Sequence, residues 1–477
     1  LSRADTLLRA GCYDCLLVAY REYDALRQVP PISAAATRGA FRSAALLDIR
    51  ERELGLAEGD YLDKARGLAE GPLVDIVNVV GALRIGPGGP RAPRTDDQVD
   101  AMLQLTRNRA QWTAALRIAA PDDELRAYVW VLMGCDSLAA LSMNVDDVLN
   151  ATGALRDLPV VAFAYATACV RGNADRLKAL LDRDPRFGEI NYLLGLAALG
   201  RRPYPDVDGA DEHFRGAYGW RTAWPALSLS TGNLALVTED FPRAFEFFDR
   251  TLALAPGEPD AIMGRIRALT YLGRYEEALA ATDSLLADGR YVGEARYWRA
   301  FNDNHLGRYD EAWLEIELAQ MTFLNANVHK LAGLILFRRR QVDAAVTRLT
   351  QGIALNPSDC ETKHYLQTAL ADRGQWAETA TAASAAAACF DDAEVALRLE
   401  IASLRTSNAA PERVARMAAR REQEIGTNDR MRAASWFNAA VSTFNLGRRS
   451  EARELAGKVA ADEQFGDRAR ALLLRLQ

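Results

Sequence analysis

The sequence predicts an all-α protein built as a solenoid of antiparallel helix hairpins, and three observations predict it. The stretch LGRYEEA at Leu272–Ala278 returns as LGRYDEA at Leu306–Ala312, 34 residues later. Segments on both sides of each copy place apolar residues at helical spacing, such as AIMGRIRALTYL before the first copy and, after the equivalent position Phe241 of an earlier unit, AFEFFDRTLAL. A glycine falls between the two segments, where a helix ends most cheaply in the left-handed conformation. A catalytic motif has no reason to recur at a fixed interval, whereas a unit that buries its apolar face on a copy of itself does.

Bulk properties agree. A chain of 477 residues exceeds one ordinary compact core, but a stacked array grows its core along one axis. The chain is 49% hydrophobic and 26% charged, with a mean hydropathy of −0.15, the composition of a folded protein. No apolar run is long enough to span a membrane. A net charge of −6 and a pI near 5.6 argue against generic nucleic-acid binding, which needs a concentrated basic surface. Lys occurs only at Lys64, Lys178, Lys330, Lys363 and Lys458, and this Arg-for-Lys skew points to a GC-rich genome.

Taken in chain order, ADTLLRAGCYDCLLVAYREYDAL reads as the back half of a hairpin, with Gly11, Tyr13 and Tyr23. Residues 30–187 are helical by pattern but divergent, and Ile85–Asp96 (IGPGGPRAPRTD) reads as an exposed loop or hinge. Asn191–Gly200 and Gly209–Tyr218 form a weak pair of helices separated by the insertion RRPYPDVD. The regular array follows. Its marker position is Phe241, Tyr275, Tyr309, Val342 and Trp376, at steps of 34, 34, 33 and 34 residues. Three residues on stand Ala244, Ala278, Ala312, Ala345 and Thr379, small enough for two helices to cross closely. Gly273, Gly307 and Gly374 mark the turns, and Pro256 and Pro357 close two units. A last unit carries Trp436, Ala440, Gly447 and Ala452.

This pattern resembles the tetratricopeptide repeat (TPR) family, specifically over about 225–392 and 433–465. Gly232, Phe241, Ala244, Phe248 and Pro256 supply the family's positions in one unit, and Gly333, Val342, Ala345 and Pro357 in another. The unit from Gly293 matches at Ala300, Gly307, Tyr309 and Ala312 but lacks the family's early Trp and closing Pro. The resemblance implies a right-handed superhelix. It organises the chain as 1–96, divergent hairpins ending in the Gly/Pro-rich loop; 97–187, divergent helical repeats; 188–392, the TPR array; and 393–477, C-terminal hairpins.

In the family, helix A of each unit lines a concave groove. Carried over, the groove positions are Arg267, Thr270 and Tyr271, then Tyr297, Phe301, Asn304 and His305, then Lys330, Phe337 and Arg338, and finally His364. Aromatics beside Arg and Asn suit recognition of a protein or peptide. The chaperone-binding subfamily's carboxylate clamp does not carry over, because Leu229 stands where its first Lys belongs, although Asn233 fits.

Motifs for other chemistry are missing. The four histidines, His213, His305, His329 and His364, lie in separate units, and no metalloprotease, nucleophile-elbow or Walker-type motif occurs. Acidic pairs such as Glu276/Glu277 and Asp310/Glu311 sit where they favour a helix N-terminus. GCYDC at Gly11–Cys15 lacks the His of a haem site, the strand of a redox fold and a second zinc-ligand pair. Either its cysteines form a local disulfide, or Cys15 simply fills the small-residue slot. Cys360 opens a helix A and Cys389 closes the following helix B, so antiparallel packing brings them within reach of a disulfide. The expected function is a non-enzymatic scaffold without cofactor or metal. The alternative is a structural subunit of a larger assembly, a homo- or hetero-oligomer. Six cysteines and an opening Leu1 lead to the expectation of a bacterial periplasm or cell envelope rather than the cytoplasm.

Overall fold

The computed structural model describes residues 1–56, 59–71, 73–83, 123–136, 145–168, 174–201 and 205–477. Among them are 24 α-helices, one short 3-10 helix and no strand. The predicted loop at Ile85–Asp96 and residues 202–204 of the insertion after Gly200 lie outside the described residues. Two compact units are distinguished, Leu1–Leu234 with Ala253–Ala255, and Ala235–Leu252 with Pro256–Gln477.

In the second unit the hairpins follow the repeat. Helices pair as Pro259–Tyr271 with Tyr275–Asp288, Val292–His305 with Tyr309–Ala319, Ala326–Arg338 with Val342–Leu355, and Cys360–Asp372 with Trp376–Thr406. Pro411–Asn445 pairs with Arg449–Lys458, and Gly466–Arg475 ends the stack. Each marker residue opens its helix B. The preceding turn is the same in every unit, because the amides of Asp240, Arg274, Arg308, Gln341, Gln375 and Arg448 each donate to the carbonyl five residues earlier, from Ala235 in the first to Thr443 in the last. That closure requires a left-handed residue at its centre. Gly273, Gly307, Gly374 and Gly447 supply it at φ between 69° and 78°, while Glu239 and Arg340 adopt it without being glycine.

The small residues do what their spacing suggests. Ala244, Ala278, Ala312, Ala345, Thr379 and Ala452 are fully buried at helix crossings. Gly264 leaves the notch filled by the Phe248 ring, and a Cβ there would lie inside that ring's van der Waals surface.

The first unit is organised around Ser33–Leu54, a 22-residue helix buried on most of its circumference. Phe41, Leu46, Leu47 and Ile49 join a core with Tyr13, Tyr23, Tyr128, Phe163, Phe187 and Trp224. The opening matches the predicted half-hairpin: Gly11 ends the first helix at φ 73°, and Tyr13 begins the next. Cys12 and Cys15 are disulfide-bonded there and almost fully buried, so Cys15 both occupies a packed position and carries a bond.

Candidate functional site

The A helices of the second unit touch one another in succession, through Thr270 Oγ1 donating to Asn302 Oδ1 at 3.0 Å, and through Arg338 Nη1 donating to the Asn304 carbonyl at 3.0 Å. They form one continuous wall, and the candidate residues take different roles on it. Tyr271 is 45% exposed although it is a large aromatic. Its ring stacks on Phe241 at 4.6 Å and meets Trp298 edge-on. Phe301 and Tyr297 are half-buried in an aromatic run with Trp298 and Phe323. Burial above all pushes the Tyr297 hydroxyl pKa up to about 12.

His305 is exposed, its ring held between Tyr275 at 4.9 Å and Phe301 at 4.6 Å. Desolvation by these rings, then the neighbouring Arg338 charge, lowers its pKa. Arg338 is exposed and lies over the Tyr309 ring. Phe337 beside it is half-buried, and Arg267 is half-buried with its Nε lacking a hydrogen-bond partner.

Four of the predicted groove positions are occupied within the chain, and Thr270, buried and bonded to Asn302, is the first. Asn304 is buried, and its side-chain oxygen accepts from Arg338 at 3.1 Å, so it orients that guanidinium. Lys330 is held by Glu361 at 3.0 Å and Asp359 at 3.1 Å. His364 lies 3.1 Å from the Ser435 hydroxyl, on the long helix Pro411–Asn445. Tyr271, His305 and Arg338 thus form the outward-facing part of the set, with Phe301 packed against His305.

Sequence reasoning missed that the helices Trp376–Thr406 and Pro411–Asn445 extend well beyond the repeat, at 31 and 35 residues. A signal was present: the distance from the marker Trp376 to its counterpart Arg449 is 73 residues instead of 34, with Pro411 marking the turn within the excess.

Two other polar features do not form sites. In the first unit, buried Arg50 donates to the Gly11 carbonyl at 2.8 Å and lies against the Phe163 ring, with Glu189 at 4.0 Å. Burial raises the Glu189 carboxyl to about 7, but Arg50 and Glu189 have no exposed surface through which a substrate could arrive. Elsewhere in the second unit, a cleft of about 550 Å³ is lined by Leu279, Asp283, Arg299, Arg308 and Leu314 among others. Its arginines are already paired, Arg308 with Glu276 and Arg299 with Asp283 and Glu315. Among the described residues no cluster of His, Cys, Asp and Glu could hold a metal ion, and no helix is long and apolar enough to cross a membrane. Cys360 and Cys389 are placed as a disulfide, with their Cα atoms 5.4 Å apart.

No family model and no curated protein matches the chain. Solved structures that resemble it include a tetratricopeptide repeat protein from Parabacteroides merdae, at 14% identity and a TM-score of 0.35, covering 63% of this chain and 98% of that one. The APC/C hetero-tetramer Cut9–Hcn1 matches at 12% identity and a TM-score of 0.41, covering 99% and 98% of the two chains. YrrB, a TPR protein with an unusual peptide-binding site, matches at 16% identity and a TM-score of 0.27, covering 54% and 97%. These likenesses concern fold alone, and the TPR-like repeat fold is the one that the hairpins, turns and crossings described above already display.

Proposed function

We propose that this protein is a non-enzymatic scaffold that binds a partner protein or peptide on the wall formed by the A helices of its second unit. The observation carrying this reading is the exposure of Tyr271 beside His305 and Arg338, aromatic and cationic groups that the chain presents outward instead of using to close its own core. Large aromatics and Arg concentrate binding energy at protein interfaces because they bury much area at small entropic cost. A photo-crosslinking amino acid at His305 should capture a partner from native lysate. The same group at Thr347, on the outer face of Val342–Leu355, should capture none. Equal capture at both positions would refute the assignment of this wall.

A second reading, a self-associating structural subunit, is favoured by a different feature. Leu314, Leu318, Met321 and Leu324 are 62%, 43%, 79% and 60% exposed along one outer stretch. An apolar patch of this kind marks an association surface when it is contiguous. Light scattering of the purified chain distinguishes the two readings, since the second requires an oligomer that Leu314→Glu with Leu318→Glu dissolves. Under either reading we propose an oxidising compartment of a bacterial cell envelope; the disulfides at every described cysteine support its oxidising character alone.

A further inference from the structure

The excess length between Trp376 and Arg449 forms an arm of two antiparallel helix extensions, residues 390–432, and its contacts are distributed unevenly. At its root, the Cys360–Cys389 pair lies where helix B of an ordinary repeat would end, and Arg432 bonds Asp391 at 2.8 Å, Glu394 at 2.6 Å and Asp429 at 2.6 Å. Along its shaft the apolar seam is thin, consisting of Ile401, Ala418 and Ile425 with Leu397 beside them. Toward its tip three arginines reach the turn before Phe241. Arg421 grips both oxygens of Glu239, at 2.9 and 3.2 Å, Arg420 bonds the same carboxylate at 2.9 Å, and Arg416 lies 3.3 Å from Asp240. The Arg420 guanidinium also covers the Phe241 ring at 4.7 Å and faces Tyr271 at 6.0 Å.

The same helix is anchored at its other end on Cys360–Asp372, by Asn438 donating to Gln367 at 2.8 Å and by Ser435 beside His364. Residues 416 to 438 of a straight helix span about 33 Å. The helix therefore bridges from Tyr271 to His364, two positions of the candidate wall, across the repeats between them.

The turn it grips departs from its equivalents in both relevant positions. The other turns read Gly273-Arg274, Gly307-Arg308, Arg340-Gln341, Gly374-Gln375 and Gly447-Arg448, whereas this one reads Glu239-Asp240. Glu239 holds φ at +55°, the left-handed region that favours glycine over a residue with a Cβ. Two acids stand at the one turn that meets three arginines, one of them at a conformational cost. Arg421 and Glu239 are only 14% and 19% exposed, so their pairing is less screened than a surface ion pair.

We infer that residues 390–432 are a strap across the candidate wall, clasped by Arg416, Arg420 and Arg421 on Glu239 and Asp240, and that release of this ionic clasp swings the strap away from Tyr271. Its consequence for partner access rests on the function proposed above; the clasp itself does not.

The test uses the full chain with genetically encoded, cysteine-independent spin labels at Glu246 and Ser407, both exposed. At low salt the wild type should give one narrow distance distribution. The double change Glu239→Gly with Asp240→Arg installs residues that other turns already carry, so the hairpin is preserved, as a thermal melt by circular dichroism will register. That variant should lengthen the mean distance by about 10 Å, the tip movement of a shaft about 25 Å long swinging through about 25°. About 1 M salt should broaden the wild-type distribution in the same direction, because the Debye length falls to about 3 Å. Exchanging the charges, Glu239→Arg with Arg420→Glu, Arg421→Glu and, because Arg421 also pairs with Glu400 at 3.0 Å, Glu400→Arg, should restore part of the narrow population. An unchanged distribution in the folded Gly-Arg variant would overturn the clasp. Failure to crosslink a partner at His305 would count against the scaffold reading and leave the distance result standing.

Discussion

Asp303 shows how one residue records the constraints of the repeat. Its carbonyl accepts the Arg308 amide that closes the turn, so the residue cannot move away from the helix crossing. Its side chain is only 6% exposed, with the Arg308 guanidinium 3.8 Å away. Burial, only partly offset by Arg299 and Arg308, lifts the carboxyl from 3.8 to about 6. The folded chain therefore holds this proton more tightly than the unfolded chain. The associated stability is complete below about pH 4 and is lost as pH rises through about 6. Asp303→Asn removes the cost of the buried charge at high pH. It should raise stability at pH 8 by about 1–2 kcal/mol, less than the full shift would give because Arg299 and Arg308 also lose a partner, and change it little at pH 4. Urea unfolding at the two pH values measures the difference, and an equal effect at both would contradict the account.

At the scale of the element, a helix pair is held by few kinds of contact, and each is testable alone. The Cys360–Cys389 link closes 29 residues of sequence, for which the chain-entropy model gives up to about 3–4 kcal/mol. Titration of the denatured, unreduced protein should therefore find both thiols blocked. Cys360→Ser with Cys389→Ser should lower the melting temperature without changing helix content. Free thiols at these two positions would remove this effect and leave the oxidising compartment to rest on the other cysteines, Cys12 and Cys15 among them.

Much of the element scale was legible in sequence. The markers Phe241, Tyr275, Tyr309, Val342 and Trp376 open their helices because close crossing imposes the same steric demand in every copy. Tyr271, Phe301 and His305 share a wall for the same reason. The role of Asn304 was not legible, because its orientation depends on Arg338 in the next repeat. Nor was the strap, whose Arg and Glu residues read locally as a solvated helix and find their partners 182 positions away.

That separation changes how the whole second unit should unfold. In a solenoid each hairpin touches only its neighbours, so stability is approximately a sum of local terms and the ends fray first. A clasp between Arg421 and Glu239 joins an early turn of the unit to an extension of its later helices, adding a contact that stacking does not supply. The strap's thin seam gives it few apolar contacts of its own, so its protection against hydrogen exchange depends on being held at both ends. In the Glu239→Gly, Asp240→Arg variant, amides of residues 393–430 should exchange about tenfold faster, the equivalent of about 1.4 kcal/mol of lost protection. Amides within Ala326–Arg338, which the clasp does not touch, should keep their rates. Acceleration confined to the strap would locate the long-range coupling in the clasp. Uniform acceleration along the unit would instead show that the substitution had weakened the stack itself, and unchanged rates throughout would show that the arm is rigid without it.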